Sequence, residues 1–143
     1  MARSNVSTHL DHLAQVPLFS ACSKKELATI AKATDEVHLE DGAVLTTQDN
    51  RSSEAFVVVS GTVEVKRNGR KIADLGPGAM IGELGLLDRG PRTATVTAKG
   101  PVDVLVIGPR EFAGLLDDVP TLNHKLLRSL ASMVRELDAK TYG

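Results

Sequence analysis

Cysteine is almost absent from this chain, and the shortage limits what the protein can be. Its 143 residues include a single cysteine, Cys22, so no internal disulfide can form. A cytoplasmic location is therefore expected. A free cysteine usually packs as a small hydrophobic residue, and this interpretation is favoured here over a redox role.

The chain also lacks an excess of one charge and any long apolar run. It has 17 basic and 18 acidic residues, so neither nucleic acid nor an anionic membrane is the default partner. No segment approaches the ~18 apolar residues of a membrane span. The first residues, MARSNVSTHLDHL, are polar where a signal peptide is apolar. The length predicts one domain over 1–143, without a repeat or a linker.

Histidines are too few and too scattered to favour a metal-dependent enzyme. A catalytic metal needs two or three histidines and a carboxylate that converge from neighbouring strands. Only His38 lies near a predicted strand, whereas His9, His12 and His124 lie in predicted helices. No Ser/His/Asp or Cys/His set is indicated. We expect no enzymatic activity and no metal, and a cupin-like barrel enzyme remains an alternative that metal analysis would test.

Helical signals occupy the two ends of the chain. Residues 1–34 are predicted to be helical, and Ser23 followed by Glu26 fits a capping box. Residues 109–140 return to helix, with prolines suited to first turns. The last helix has an apolar stripe made by Leu122, Leu126, Leu127, Leu130, Met133, Val134 and Leu137. This stripe either packs on the strands or, being wide, also forms a helix–helix dimer contact.

The middle of the chain, 35–108, has the pattern of short antiparallel strands. Runs such as AFVVVSG, TVEVKR and VDVLVIG are rich in valine and end at turn residues. Asn68-Gly69 predicts a two-residue hairpin turn, because both positions tolerate a positive φ. Strands of this length and spacing predict a mainly β fold with flanking helices, built as an antiparallel sandwich or barrel.

One loop, GELGLLDRGPRTATV, combines an acid and an arginine in a way that suggests a ligand. A helical turn beginning at Gly82-Glu83 would present backbone N–H groups to an anion. Arg92 would add a charged donor fork suited to phosphate. Glu83, which only accepts hydrogen bonds when ionised, would bind hydroxyls. A sugar phosphate or a nucleotide has both kinds of group. The alternative, a surface ion pair worth ~0–1 kcal/mol, does not account for the flanking glycines, leucines and proline.

The same loop resembles a known motif. IGELGLLDRGPRTATV closely resembles the phosphate-binding cassette of cyclic nucleotide-binding domains, found in bacterial catabolite activator proteins, protein kinase A regulatory subunits, cyclic GMP-dependent kinases and cyclic nucleotide-gated channels. VPLFSACSKKELATIA and the hairpin and helix segments are similar to the rest of that domain, so the resemblance covers about 14–140. It implies a double-stranded β-roll over 35–108, with a short cassette helix at 83–87.

The resemblance also assigns expected roles to residues of the loop. It implies that Glu83 binds the ribose 2′-hydroxyl and that Arg92 pairs with the cyclic phosphate. The turn whose backbone faces the sugar and phosphate would comprise Gly82, Leu84 and Gly85. Thr93 stands where many members have alanine or serine, and threonine there is similar to the cyclic GMP-responsive kinases and channels.

Residues outside the loop complete the expected site. Val65 and Ile72 match apolar wall positions against the base. The lid of the family usually comes from the end of the last helix, which here offers Lys140, Thr141 and Tyr142. Tyr142 either stacks on a purine or is disordered at the chain end. The segment TTQDNRSSEAF departs from the family pattern, because it lacks the usual Gly-Asp turn, and this leaves the conformation of that turn open.

The function implied by the resemblance is a regulatory sensor. Its ligand would be cyclic AMP, favoured by the similarity to bacterial domains, or cyclic GMP, and no cofactor is expected. The ligand would reposition the C-terminal helix and so regulate an unidentified effector protein. Direct DNA binding is not expected, because the chain stops at DAKTYG without a helix-turn-helix unit and carries no basic stretch. A ligand-free interaction module of the same fold remains a second alternative.

Overall fold

The computed structural model describes residues 6–51, 53–82 and 90–142, apart from the side chains of 6–9, 12, 17, 129, 133 and 140–142. The described elements are α1 (Val6–Gln15), a 3-10 turn (Pro17–Phe19), α2 (Lys24–Lys32), β1 (Asp35–Leu39), β2 (Val44–Thr46), β3 (Ala55–Arg67), β4 (Arg70–Leu75), β5 (Met80–Ile81), β6 (Thr95–Ile107), α3 (Pro109–Asp118) and α4 (Pro120–Tyr142). The prediction of a mainly β fold with flanking helices is confirmed. The cassette helix expected at 83–87 lies outside the described residues.

The predicted capping box opens α2. The Glu26 backbone N–H donates to Ser23 Oγ at 3.1 Å, and the Ser23 backbone N–H donates to Glu26 Oε1 at 2.8 Å. The second carboxylate oxygen, Glu26 Oε2, accepts a hydrogen bond from Thr121 Oγ1 at 2.9 Å. The Ser23 backbone bond, followed by the Thr121 bond, lowers the pKa of Glu26. The box therefore also attaches the first turn of α4 to α2.

All six described strands pair antiparallel in one sheet. The strand order is β1-β6-β3-β4, with β2 added to β6 and β5 added to β3. Strands β3 and β6 are long, 13 residues each, and their register shifts near Gly61. Gly61 has φ +88°, and a Cβ atom there would collide with the Pro101 carbonyl oxygen. Glycines and register shifts let two long strands bend together, so the sheet curls into a roll.

The curled β3–β6 pair separates two hydrophobic cores. Alternate side chains point to opposite faces, so neighbouring Val57 and Val58 belong to different cores. The core beneath the helices contains, among others, Leu13, Phe19, Ile30, Ala55, Val57, Leu105, Ile107, Phe112, Leu115, Val119 and Leu122. The core inside the roll consists of Val58, Val63, Val65, Ile81, Ala94, Val96, Ala98, Val102 and Val104.

Cys22 packs partly buried against the helical core. Burial, and next the nearby Glu26 carboxylate, raises the pKa of the Cys22 thiol, while Lys125 lowers it. A raised pKa leaves little reactive thiolate at neutral pH. The interpretation of Cys22 as a packing residue therefore agrees with its surroundings.

The apolar stripe of α4 divides into a buried part and an exposed part. Leu122 and Leu126 are buried against the helical core, with 0% and 6% of their surface exposed. Further along, Leu127, Val134 and Leu137 are 65%, 65% and 63% exposed. Leu130 is partly buried against the same core, so packing there accounts for Leu122, Leu126 and Leu130. Among the described residues, no helix has the length and apolarity that a membrane span requires.

Candidate functional site

The backbone of Arg92 is fixed by the turn that follows β2. The Arg92 N–H donates to the Asn50 carbonyl oxygen at 2.8 Å, and the Asp49 N–H donates to the Arg92 carbonyl oxygen at 2.8 Å. Asp49 has φ +71°, a left-handed conformation that aspartate tolerates better than most residues. The segment without the usual Gly-Asp turn thus still forms a tight turn, and this turn holds Arg92.

The guanidinium of Arg92 points into the protein. Arg92 is only 5% exposed; its Nη1 donates to the Gly82 carbonyl oxygen at 3.4 Å and its Nη2 to the Glu54 carbonyl oxygen. Burial lowers the pKa of Arg92, and the Glu54 carboxylate opposes this effect. An arginine nevertheless stays charged in a protein. The site therefore contains a permanent cation in a low-dielectric setting, where an anion would interact strongly with it.

Gly82 makes this position of Arg92 possible. Its φ of +79° is one that side-chain-bearing residues rarely adopt. A Cβ atom at this position would collide with Arg92 Nη1 and would lie 3.0 Å from the Glu54 carbonyl oxygen. The structure thus brings Gly82 and Arg92 together. Glu83, Leu84 and Gly85, the other predicted residues of the turn, lie outside the described residues.

The remaining predicted site residues occupy different environments. Val65 is buried in the core inside the roll, at 9% exposure, whereas Ile72 on the paired strand is 50% exposed. Val65 pairs with Ala73 but Lys66 pairs with Lys71, so Ile72 is the extra residue of a β-bulge. Thr93 is exposed, next to Arg92. Lys140, Thr141 and Tyr142 continue α4, but their side chains are not described.

A hydrogen-bonded clamp that the sequence did not predict connects the β3–β4 hairpin to the Arg92 segment. The Gln48 side chain bonds Asn68 twice, with Nε2 donating to Oδ1 and Oε1 accepting from the backbone N–H, both at 2.8 Å. The Gln48 N–H donates to Thr95 Oγ1 at 2.9 Å. Arg67 Nε donates to the Thr93 carbonyl oxygen at 3.0 Å. These partners are 20 to 47 residues apart, and no local pattern announces such contacts.

Two arrangements typical of enzyme sites are a cluster of metal ligands and a serine–histidine–aspartate triad. Within the described ranges, no group of three or more His, Cys, Asp or Glu side chains could hold a metal ion. A polar row crosses the sheet, with His38 Nδ1 2.7 Å from Asp103 Oδ1 and Ser60 Oγ donating to Asp103 Oδ2 at 2.8 Å. In a nucleophilic triad the serine hydroxyl contacts the histidine. Here the Ser60 hydroxyl is directed at the aspartate, so this row does not have triad geometry.

The polar row makes stability depend on pH. The hydrogen bond to Asp103, helped by the charges of Asp103 and Glu40, raises the pKa of His38. A raised folded-state pKa gives stability that is complete below the unfolded value, about 6.5, and is lost as pH rises through the folded-state value. We expect His38→Gln to lower the free energy of unfolding more at low pH than at high pH, as measured in urea.

His124→Gln is the control for this measurement, because His124 is an exposed histidine on α4. Its free energy of unfolding should follow that of the wild type across the same pH range. A His38→Gln deficit that grows with rising pH would contradict the assignment.

The family model described as the cyclic nucleotide-binding domain matches residues 36–119, which include Arg92 and all of the roll except its first residue. This chain belongs to the cyclic nucleotide-binding domain family.

Relatives of this cyclic nucleotide-binding domain are regulatory proteins. It is 33% identical over 140 residues to a cAMP-dependent protein kinase regulatory subunit of Mycosarcoma maydis, covering 92% of this chain and 25% of that protein. The crystal structure of the Thermus thermophilus catabolite activator protein is 28% identical with a TM-score of 0.81, covering 87% of this chain and 61% of that one. The N-terminal domain of a transcriptional regulator from Streptomyces coelicolor A3(2) is 31% identical with a TM-score of 0.76, covering 93% and 96%.

The domain spans only part of its curated relatives. It covers 25% of the Mycosarcoma subunit and 59% of a cyclic AMP receptor protein from Thermus thermophilus, to which it is 28% identical. The predicted family and fold are confirmed.

Proposed function

We propose that this chain is a non-enzymatic sensor that binds a cyclic nucleotide in its roll. The observation that supports this most is the buried guanidinium of Arg92, which lies against Gly82, while the 49–50 turn fixes the Arg92 backbone. A singly charged cyclic phosphate matches this donor fork in charge and in hydrogen-bonding geometry. In this proposal Glu83 binds the ribose hydroxyl, Leu84 and Gly85 belong to the same turn, and Val65 with Ile72 contacts the base.

Cyclic AMP is the favoured ligand. The relatives from Mycosarcoma and Thermus are named for cyclic AMP, and the chain aligns with them across the cassette. Calorimetric titration of the purified protein with cyclic AMP and with cyclic GMP tests the proposal. Saturable one-to-one binding of either nucleotide would support it. The absence of heat with both would favour the alternative, a ligand-free interaction module.

Thr93 is the residue that we expect to affect the affinities for cyclic AMP and cyclic GMP differently. Its side chain is exposed and follows Arg92 in the chain. If the hydroxyl contacts guanine, Thr93→Ala will weaken cyclic GMP binding more than cyclic AMP binding, by about one hydrogen bond or roughly 0.5–1.5 kcal/mol. Calorimetry with both ligands measures the difference. Equal losses would mean that the hydroxyl serves the phosphate alone, and Thr93→Ser should then restore both affinities.

The effect of ligand binding would be transmitted by a change in the position of α4. Its first turn is attached to α2 by the Thr121–Glu26 hydrogen bond, and Leu122 and Leu126 anchor it in the helical core beside Leu115. Leu130 also packs against this core and is partly buried, so the segment after Leu130 is the part that a ligand would reposition. The candidate lid residues, Lys140, Thr141 and Tyr142, lie at the end of this segment. A ligand moves it only to the extent that it binds one arrangement more tightly.

A second copy of this chain is the partner that fits the distal part of α4. The exposed Leu127, Val134 and Leu137 follow spacings of seven and three, as in a two-helix seam. We expect a homodimer by sedimentation analysis, and we expect Val134→Asp/Leu137→Asp to shift it to monomer because two charges would be buried in the seam. Arg135→Asp adds the same residue outside the stripe and should leave the dimer intact. A monomeric wild type would contradict this part of the proposal.

We also propose a domain organisation, an effector and a cellular location. Residues 1–143 would act as one regulatory domain, with a helical part at 1–34, the roll at 35–108 and the C-terminal helices at 109–140. An effector protein, as yet unidentified, would receive the signal in the cytoplasm. Near-balanced charge, 17 basic against 18 acidic residues, does not favour direct binding to DNA or a membrane.

A further inference from the structure

The tip of the β3–β4 hairpin is strongly basic. We define the basic tip as Lys66, Arg67, Arg70 and Lys71, the four residues that flank the Asn68-Gly69 turn. All four are exposed. The expectation of a chain without a basic stretch is therefore wrong at residues 66–71, where four of the six residues are basic.

The basic tip places like charges directly opposite each other. In the strand register Lys66 pairs with Lys71, and Arg67 pairs with Arg70. Like charges in cross-strand pairs destabilise a hairpin. The positive φ values of Asn68 and Gly69, 53° and 76°, fit the turn itself. The turn therefore explains the hairpin but not its four cations, which concentrate positive charge at some cost in stability.

Among the described residues, the acids that form ion pairs with the tip are Glu64 and Asp74, on its strand side. Lys71 Nζ is 2.8 Å from Asp74 Oδ2, and Lys66 Nζ is 3.5 Å from Glu64 Oε1. Both acids lie further down the strands, away from the turn. Arg67 Nε donates to a carbonyl oxygen, a neutral group that leaves its charge in place. The positive field is therefore strongest at the turn end of the hairpin.

The basic tip is held beside the proposed anion site. The Arg67–Thr93 hydrogen bond places a second guanidinium one residue along the chain from Arg92. The double amide contact between Gln48 and Asn68 fixes the turn to the loop whose backbone positions Arg92. The two sets of charge differ in exposure, because Arg92 is buried whereas the tip faces solvent.

We propose that the basic tip is an electrostatic guide that attracts an anionic nucleotide and delivers it to Arg92. This inference rests on the proposed function and concerns the rate of capture rather than the contacts of the bound state. Exposed charges near a binding site raise the association rate of an oppositely charged ligand, and salt removes the effect. The guide acts before binding, so it leaves the dissociation rate unchanged.

Stopped-flow binding of a fluorescent cyclic AMP analogue that retains the phosphate charge tests the guide. The test compares Arg67→Gln/Arg70→Gln with the wild type at about 0.01 M and about 1 M salt, where the screening length is about 30 Å and 3 Å. Removing two charges about 10 Å from a monovalent anion should slow association roughly fourfold at low salt. The difference should vanish at high salt, with equal dissociation rates throughout.

Two further variants separate charge from local structure. Arg67→Lys keeps the charge but replaces the guanidinium that contacts Thr93, so its association rate should stay close to that of the wild type. Arg110→Gln removes an exposed arginine at the start of α3, next to the other end of β6, and should leave the rate unchanged.

The outcomes distinguish the guide from the site itself. If the wild type binds no cyclic nucleotide, the proposed function fails. If it binds but the double variant associates as fast as the wild type at low salt, the guide is overturned while the site stands. An increase in the dissociation rate alone would also overturn the guide, because it would make the basic tip part of the bound-state contacts.

Discussion

Replacing Arg92 with alanine will weaken cyclic AMP binding at least tenfold. The Arg92 guanidinium is buried at 5% exposure, where a charge-assisted hydrogen bond to phosphate contributes roughly 1.5–3 kcal/mol. Arg92→Lys should fall between the wild type and alanine, because lysine keeps the charge but lacks the planar fork. Calorimetry gives the affinities, and thermal unfolding reports whether each variant is folded.

Arg51→Ala provides the control for Arg92→Ala. Arg51 is an exposed arginine in the loop that holds Arg92, so its loss changes net charge equally without touching the buried fork. We expect its affinity to remain within about twofold of the wild type, since exposed charges contribute little. Equal affinities for Arg92→Ala and the wild type would remove Arg92 from the site.

Replacing Gly82 with alanine will both destabilise the fold and weaken binding. Its positive φ costs a side-chain-bearing residue roughly 1–2 kcal/mol. The new Cβ would also collide with Arg92 Nη1, which must then move, and overpacking of this kind costs about 1–3 kcal/mol more. Urea unfolding measures the first effect, and titration with cyclic AMP measures the displacement of the guanidinium.

Gly42→Ala isolates the conformational part of this effect. Gly42 has φ +84°, close to that of Gly82, but nothing lies within 4 Å of a Cβ built there. It should therefore show only the cost of the backbone conformation and should bind cyclic AMP normally. If Gly82→Ala behaved like Gly42→Ala in both measurements, the close packing of Gly82 on Arg92 would be wrong.

The parts of the fold that the sequence predicted well depend on neighbours along the chain. The capping box of Ser23 and Glu26 forms, and Asn68-Gly69 makes its hairpin turn with two positive φ values. Pro109 occupies the first turn of its helix. Each signal acts over at most three residues, so the chemistry that creates the element is already visible in the sequence.

The parts that could not be predicted depend on long-range register. Asp49 has the positive φ in the turn that holds Arg92, and nothing local says that its N–H will bond the Arg92 carbonyl oxygen. The bulge at Ile72 arises from how β3 and β4 align, and it leaves that residue half exposed. The motif identified Arg92, but only the fold reveals that Gly82 and Glu54 receive its guanidinium.

The curled β3–β6 pair couples the two hydrophobic cores that it separates. Val57 and Val58 are consecutive, yet one touches the helices and the other the interior of the roll. A displacement of the backbone at this point shifts both side chains at once, so neither face can be repacked while the other stays still. In the proposed sensor, a ligand inside the roll would therefore act on the helices through a single layer of backbone, without intervening residues.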